Sequence, residues 1–160
     1  MAHRSELLAL ARLHRRMFLN GLEGLPAADL VRRGAPSGGF PAGVAAHLVD
    51  ARRFLATMVG AKPRHPALET LEALSTVDDP AGLPPVPELL AAWGVVSDAL
   101  ETALAQLSSE ALEASTGHDF PIEDQRLLGG ITFLFHHEAY HLGQLGLLRR
   151  QLGHPGMRYG

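Results

Sequence analysis

Three histidines have the spacing and the setting of metal ligands. His137 and His141 are four residues apart, so an α-helix would place them on one face, one turn apart. The other residues predicted for that face are apolar or small: Leu127, Gly130, Leu134, Leu145 and Leu148. His47 lies on the inward stripe of a different predicted helix. Imidazoles among apolar side chains need polar partners, and a divalent metal ion is a partner that all three can share.

Simpler interpretations of these histidines stay open at this point. A single histidine on an apolar stripe commonly bonds a carbonyl oxygen or water, which is the ordinary expectation for His47 taken alone. His-x3-His pairs also arise by chance in a chain with nine histidines. His136 is predicted to point almost opposite to His137 and to be exposed. A site shared by two helices, each with inward histidines, favours a metal over both alternatives.

A zinc-protease pattern overlaps the same helix. Residues 137–141 read His-Glu-Ala-Tyr-His, which matches the H-E-x-x-H pattern whose glutamate is a general base. That class needs a third ligand, usually downstream, and no Asp or Glu follows His141. We therefore expect no peptidase activity. Glu138 is predicted either to act beside the metal, as a base or a supporting partner, or to bond an arginine at a helix interface.

Four long helices are predicted to position these residues, over about residues 5–20, 41–60, 87–107 and 123–150. Strand signals are almost absent, and two long connections occupy residues 61–85 and 108–123. The pattern predicts an all-α fold, a four-helix bundle with two long connections, as one domain over residues 1–160. The order of the helices in the bundle stays open.

Apolar spacing predicts the inward stripe of each helix. The first stripe is Leu7, Leu10, Ala11, His14, Met17 and Phe18. The second is Val44, His47, Ala51, Phe54, Leu55 and Met58. The third is Leu89 or Leu90, Trp93, Val96, Leu100 and Leu104.

Composition restricts the class of protein. The chain has 160 residues, a formal net charge of −3, 19% charged residues and no cysteine. Disulfides and thiolate ligands are therefore excluded, and the charge is not that of a nucleic-acid-binding domain. No apolar run approaches the roughly 20 residues of a membrane span, and the first residues do not resemble a signal peptide. We expect a cytoplasmic protein that binds neither nucleic acid nor membrane, with its arginine pairs on solvated helix faces.

Three segments together resemble a known family. They are His47–Phe54 (HLVDARRF), the His-x3-His pair followed by Gly143-Gln144-Leu145, and Leu148–Gly153 (LRRQLG). Over about residues 5–153 the chain is similar to the DinB/YfiT-like family of metal-binding four-helix bundles. The resemblance implies that His47, His137 and His141 bind a divalent metal, most often zinc or nickel, with water completing the shell. It also implies a homodimer.

The function expected from this resemblance is a metal-dependent enzyme of the thiol S-transferase or hydrolase type, acting on a small molecule. Some relatives join a low-molecular-weight thiol to an electrophile. The alternatives are a non-catalytic metal-binding stress-response protein, or a bundle whose histidines only bond one another. Glu138 or Tyr140 would move the proton, and Asp50 would orient the far nitrogen of His47. His14 is expected to be a core residue. A substrate pocket is expected between helices two and four, shaped by the two long connections.

Overall fold

The computed structural model describes residues 2–35 and 39–159, and within them the chain is helical without a strand. The helices are α1 (Ala2–Leu22), α2 (Ala27–Leu30), α3 (Pro41–Met58), α4 (Pro66–Ala73), α5 (Val86–Gln106), α6 (Ser109–Glu113) and α7 (Leu127–Gln151). A 3-10 turn covers Pro80–Gly82. In the described part of the chain, no helix combines the length and apolar character needed to cross a membrane. The all-α prediction is confirmed.

The four long helices α1, α3, α5 and α7 are the predicted ones, with one shifted boundary. Pro41 opens α3, as a proline in the first helical turn should. The predicted start of the last helix near Asp124 is wrong, because that side chain accepts the backbone N–H of Arg126 and holds a turn. The backbone N–H of Leu127 then bonds the carbonyl of Ala114, so the chain before α7 pairs with the end of α6.

Contacts between the helices give the order that the sequence left open. Helix α1 packs against α5 and α7, and α3 packs against the same two, so α1 and α3 are diagonal neighbours. Arg4 bonds Ala105 and Arg15 bonds Asp98, which makes α1 and α5 antiparallel. Helix α7 runs parallel to α1, since His14 meets Glu138 and the carbonyl of Gly21 meets Arg149. Helices α5 and α7 are likewise diagonal, and diagonal helices cannot be joined by tight turns, which explains the long connections from α1 to α3 and from α5 to α7.

The predicted stripes agree with the core on α1 and α5, apart from half-buried Leu10 and Leu90, but not on α3. Phe54 is 39% exposed, whereas Leu48, Val49 and Arg52, which the predicted stripe omits, are completely buried. The buried face of α3 is therefore rotated about the helix axis relative to the predicted stripe. A charged residue, Arg52, occupies the middle of the inward face, so a stripe drawn through apolar residues alone misses it.

Two arginines predicted to be solvated are buried instead. Arg52 is inaccessible, and Arg149 is 8% exposed. Arg149 donates to the carbonyl oxygens of Gly21, Glu23 and Pro155, and so ties the end of α7 to the end of α1. The expectation for these two residues was wrong because their partners come from distant segments.

Candidate metal centre

The fold brings the three predicted ligands together on one side of the bundle. His47 comes from the second turn of α3, and His137 and His141 come from successive turns of α7, which packs against α3. The Nε2 atom of His137 lies 3.2 Å from that of His47 and 3.1 Å from that of His141. One nitrogen from each ring lies within 4.8 Å of the others, and all three residues are half-buried. They stand at the side of the bundle rather than at its centre.

The spacing of these nitrogens fits a shared cation. Zinc–nitrogen bonds of about 2.0–2.1 Å in tetrahedral geometry place two ligand nitrogens roughly 3.3 Å apart. Hydrogen bonding alone serves the cluster poorly, because an imidazole nitrogen carries either one proton or one lone pair. The Nε2 atom of His137 therefore cannot donate to both neighbours. A cation would accept a lone pair from each ring and remove this conflict.

The local electrostatics favour the neutral form of His47 and His137. Burial, reinforced by the neighbouring His141 and His137 and opposed by Asp50, lowers the pKa of His47 from 6.5 to about 4. The pKa of His137 is also lowered, first by burial and then by His141. A histidine must be deprotonated to bind a metal, so these shifts leave lone pairs available at neutral pH.

Gln144 belongs to the site, although the sequence alone predicts no role for it. Its Oε1 atom lies 2.7 Å from Nδ1 of His141, so the ring donates there and keeps the lone pair on Nε2, facing the other histidines. The two residues are three apart on one helix, a spacing that could have signalled the contact. By contrast, the Nδ1 atom of His137 is buried with no hydrogen-bond partner among the described residues.

The other residues named from the sequence lie around the cluster. Asp50 accepts two hydrogen bonds from Arg53 at its Oδ1 atom, and its charge acts on His47, so its role in orienting that ring stays a prediction. His136 is exposed, as expected. Tyr140 is 60% exposed, with its ring edge-on to His141 at 5.0 Å between centroids. His14 is a core residue, also as expected, with 3% exposure.

The family comparison covers most of this bundle. The model of the DinB superfamily matches residues 5–145. The chain belongs to the DinB superfamily. The matched region contains all three histidines, and metal binding is a property of DinB-like proteins, so family and geometry agree on a site that could hold a metal ion. None of the curated proteins matches this DinB-superfamily chain.

Glu138 lies between His137 and His141 in sequence but points into the bundle centre. Its carboxylate receives two hydrogen bonds from Arg52, at 2.9 and 2.7 Å, and one from His14 at 3.0 Å. Burial alone would raise the pKa of Glu138, but the charge and hydrogen bonds of Arg52, with those of His14, outweigh it and lower the pKa. In this DinB-superfamily member the geometry therefore favours the ion-pair interpretation. The role of Glu138 as a base stays a prediction.

Arg52 completes this buried network. Its Nη1 atom donates to Ser97 Oγ at 3.0 Å and to the carbonyl of Ala11 at 3.3 Å, and its guanidinium stacks over Trp93 at 3.9 Å. Through Arg52, Glu138 and their partners all four long helices meet at one point. The network joins α3 to α7 beside the histidines, so it helps to fix how the two histidine-bearing helices align.

A cavity of about 260 Å³ opens beside two of the three histidines. We call it the α3 cavity, and its walls include Phe40, Gly43, Val44, Val77, His47 and His141. The segment that carries Val77 belongs to the long connection between α3 and α5, one of the two that were expected to shape the pocket. The other long connection does not line the α3 cavity; its Phe120 packs against Phe133, whose ring centroid is 6.5 Å from that of His137.

Proposed function

We propose that this DinB-superfamily protein is a metal-dependent enzyme that acts on a small molecule at His47, His137 and His141. The leading reaction is transfer of a low-molecular-weight thiol to an electrophile, and hydrolysis is the second candidate. The observation that carries the proposal is the α3 cavity, because it gives a ligand a path to His47 and His141. A site kept only for stability would need no such opening.

The three histidines supply the donor set. Neutral imidazoles suit zinc or nickel, and three protein ligands leave a position for water or substrate. A divalent cation held there would act as a Lewis acid that favours the deprotonated form of a thiol or of water. Gln144 orients His141, and the Arg52–Glu138 pair aligns the two helices that carry the ligands.

The proposed transfer changes no oxidation state and therefore needs no redox partner. The thiol sulfur forms a bond to the electrophilic carbon, and the bond from that carbon to its leaving group breaks. The leaving group departs with the bonding electron pair, and the thiol proton passes to water at the open side of the α3 cavity. Glu138 is not assigned this proton, since its carboxylate is buried and bonded to Arg52 and His14.

The experiment is a thiol–electrophile screen on zinc- and nickel-loaded protein, with thiol loss and product formed measured by mass spectrometry. We expect conjugation above the uncatalysed rate, abolished in His141→Ala and retained in His136→Ala, whose side chain is exposed. A metal-loaded protein that neither conjugates thiols nor hydrolyses esters and amides would support the non-catalytic metal-binding alternative.

A further inference from the structure

We propose that the α3 cavity binds an uncharged apolar tail of the substrate, an aryl or branched alkyl group joined by a short arm to the group that meets the histidines. This inference rests on the proposed function and adds the class of molecule. The walls of the cavity would bind the tail, and the reaction would take place at the histidine cluster.

The walls of the α3 cavity are apolar where they lie away from the histidines. Phe40 and Val44 come from the start of α3, and Val77 faces them from the connection between α3 and α5. Phe40 is 1% exposed, and the two valines are half-buried. Such a surface gains free energy when an apolar group displaces water from it.

The volume of the α3 cavity limits the size of the tail that it can hold. A protein cavity of about 150 Å³ can hold one benzene molecule. The α3 cavity, at about 260 Å³, therefore has room for one phenyl-sized group and an arm of a few atoms. A larger hydrophobic chain would have to extend into solvent.

The wall opposite α3 is held close to the helix. A Cβ atom on Gly43 would lie 2.9 Å from the carbonyl oxygen of Val77 and 3.0 Å from the Phe40 ring, so only glycine allows this approach. Arg33 donates to the carbonyl oxygen of Asp78 at 2.9 Å and lies 5.4 Å from the Phe40 ring centroid. These contacts make the valine-bearing segment a fixed wall.

The charges around the α3 cavity favour an uncharged tail. Asp78 contributes the one carboxylate of the lining, and the described lining residues include no lysine or arginine. An anionic tail would meet the Asp78 carboxylate, and a cationic tail would meet the Arg33 guanidinium beside the Phe40 ring, so neither charge is favoured. Gln144 also lines the cavity, and its amide nitrogen can donate to an oxygen on the arm of the ligand.

The test compares two thiols on the cobalt-substituted full-length protein, followed by its visible absorption spectrum. The probes are 2-phenylethanethiol and 2-mercaptoethanol, which carry the thiol on the same two-carbon arm. Burial of a phenyl group predicts apparent binding about 10- to 100-fold tighter for the aryl thiol. Val77→Ser should reduce this advantage at least about threefold, whereas Val95→Ser, at an exposed valine on α5, should preserve it.

A second measurement separates this inference from the proposed function. Methyl NMR spectra of the metal-free protein are recorded with 2-phenylethanol and with ethylene glycol. We expect only the aryl alcohol to shift the methyl signals of Val44 and Val77. If thiols leave the cobalt spectrum unchanged but these methyl signals shift, the cavity assignment holds and the thiol-transfer proposal fails. If the methyl signals do not shift, or both thiols bind equally, the cavity assignment is overturned.

Discussion

Replacing Arg52 by methionine should destabilise the metal-free protein far more than the same change at Arg53. Arg52 is completely buried and is bonded to Glu138, which is 1% exposed. Removing one partner of such a buried pair costs about 3–5 kcal/mol. The Glu138 carboxylate would lose its paired charge and two hydrogen bonds and keep only the contact with His14. The Arg53 side chain is 26% exposed, and its partners Asp50 and Glu72 are more exposed, so its loss should cost less than about 1 kcal/mol.

The assay is urea unfolding in the presence of a chelator, followed by circular dichroism. Against a total stability of about 5–15 kcal/mol, the expected loss in Arg52→Met is a large fraction. The double variant Arg52→Met/Glu138→Leu removes both charges, so it should recover most of the stability. A loss of stability in Arg52→Met no larger than in Arg53→Met, or a double variant as unstable as Arg52→Met alone, would contradict the stabilising role of this ion pair.

Three further predictions concern the histidine site. Because the folded-state pKa of His47 is about 4, below its ordinary 6.5, the unfolded chain takes up a proton first as the pH falls. The metal-free protein should therefore lose stability from about pH 6.5 towards pH 4, less steeply in His47→Gln, as measured by urea unfolding at each pH. Gln144→Leu should weaken zinc binding about 10- to 100-fold, whereas Gln144→Glu, which keeps an acceptor for His141, should bind close to the wild-type affinity in chelator competition. Zinc-loaded protein should not cleave an unstructured protein substrate, and cleavage that a chelator abolishes would contradict this.

The sequence predicts that His137 and His141 lie together because helix periodicity is a local property. The four-residue spacing of His137 and His141 fixes their common face once α7 is a helix, whatever surrounds it. The structure adds His47 from α3 at 3.2 Å, in agreement with the grouping inferred from the sequence. The same argument separates His136, which is exposed, from the pair.

The buried network could not be predicted with the same means, because its partners are far apart in the chain. Arg52 meets Glu138 across 86 positions and Ser97 across 45. An arginine such as Arg52, considered without its partners, is expected to be exposed to solvent. The glutamate of an H-E-x-x-H segment, here Glu138, is typical of a catalytic base. Only the packing of α3 between α5 and α7 shows that both charges are compensated inside the bundle.

The order of the helices in the bundle could not be predicted from the sequence either. Connections of the observed length permit diagonal as well as neighbouring helices, and apolar stripes do not specify their partners. Contacts such as the stacking of Phe18 on Trp93, at 4.0 Å between ring centroids, select α5 as a neighbour of α1.

Metal content tests the central claim most directly, with His137→Ala and His136→Ala as a matched pair on adjacent residues of α7. Both changes remove one imidazole, but the ring of His137 faces His47 and His141, while His136 is exposed. After zinc loading and desalting, elemental analysis should give about one metal per chain for the wild type and for His136→Ala. His137→Ala should lose most of its metal, with affinity reduced at least about 10- to 100-fold. Full metal retention by folded His137→Ala would contradict the assignment of this site.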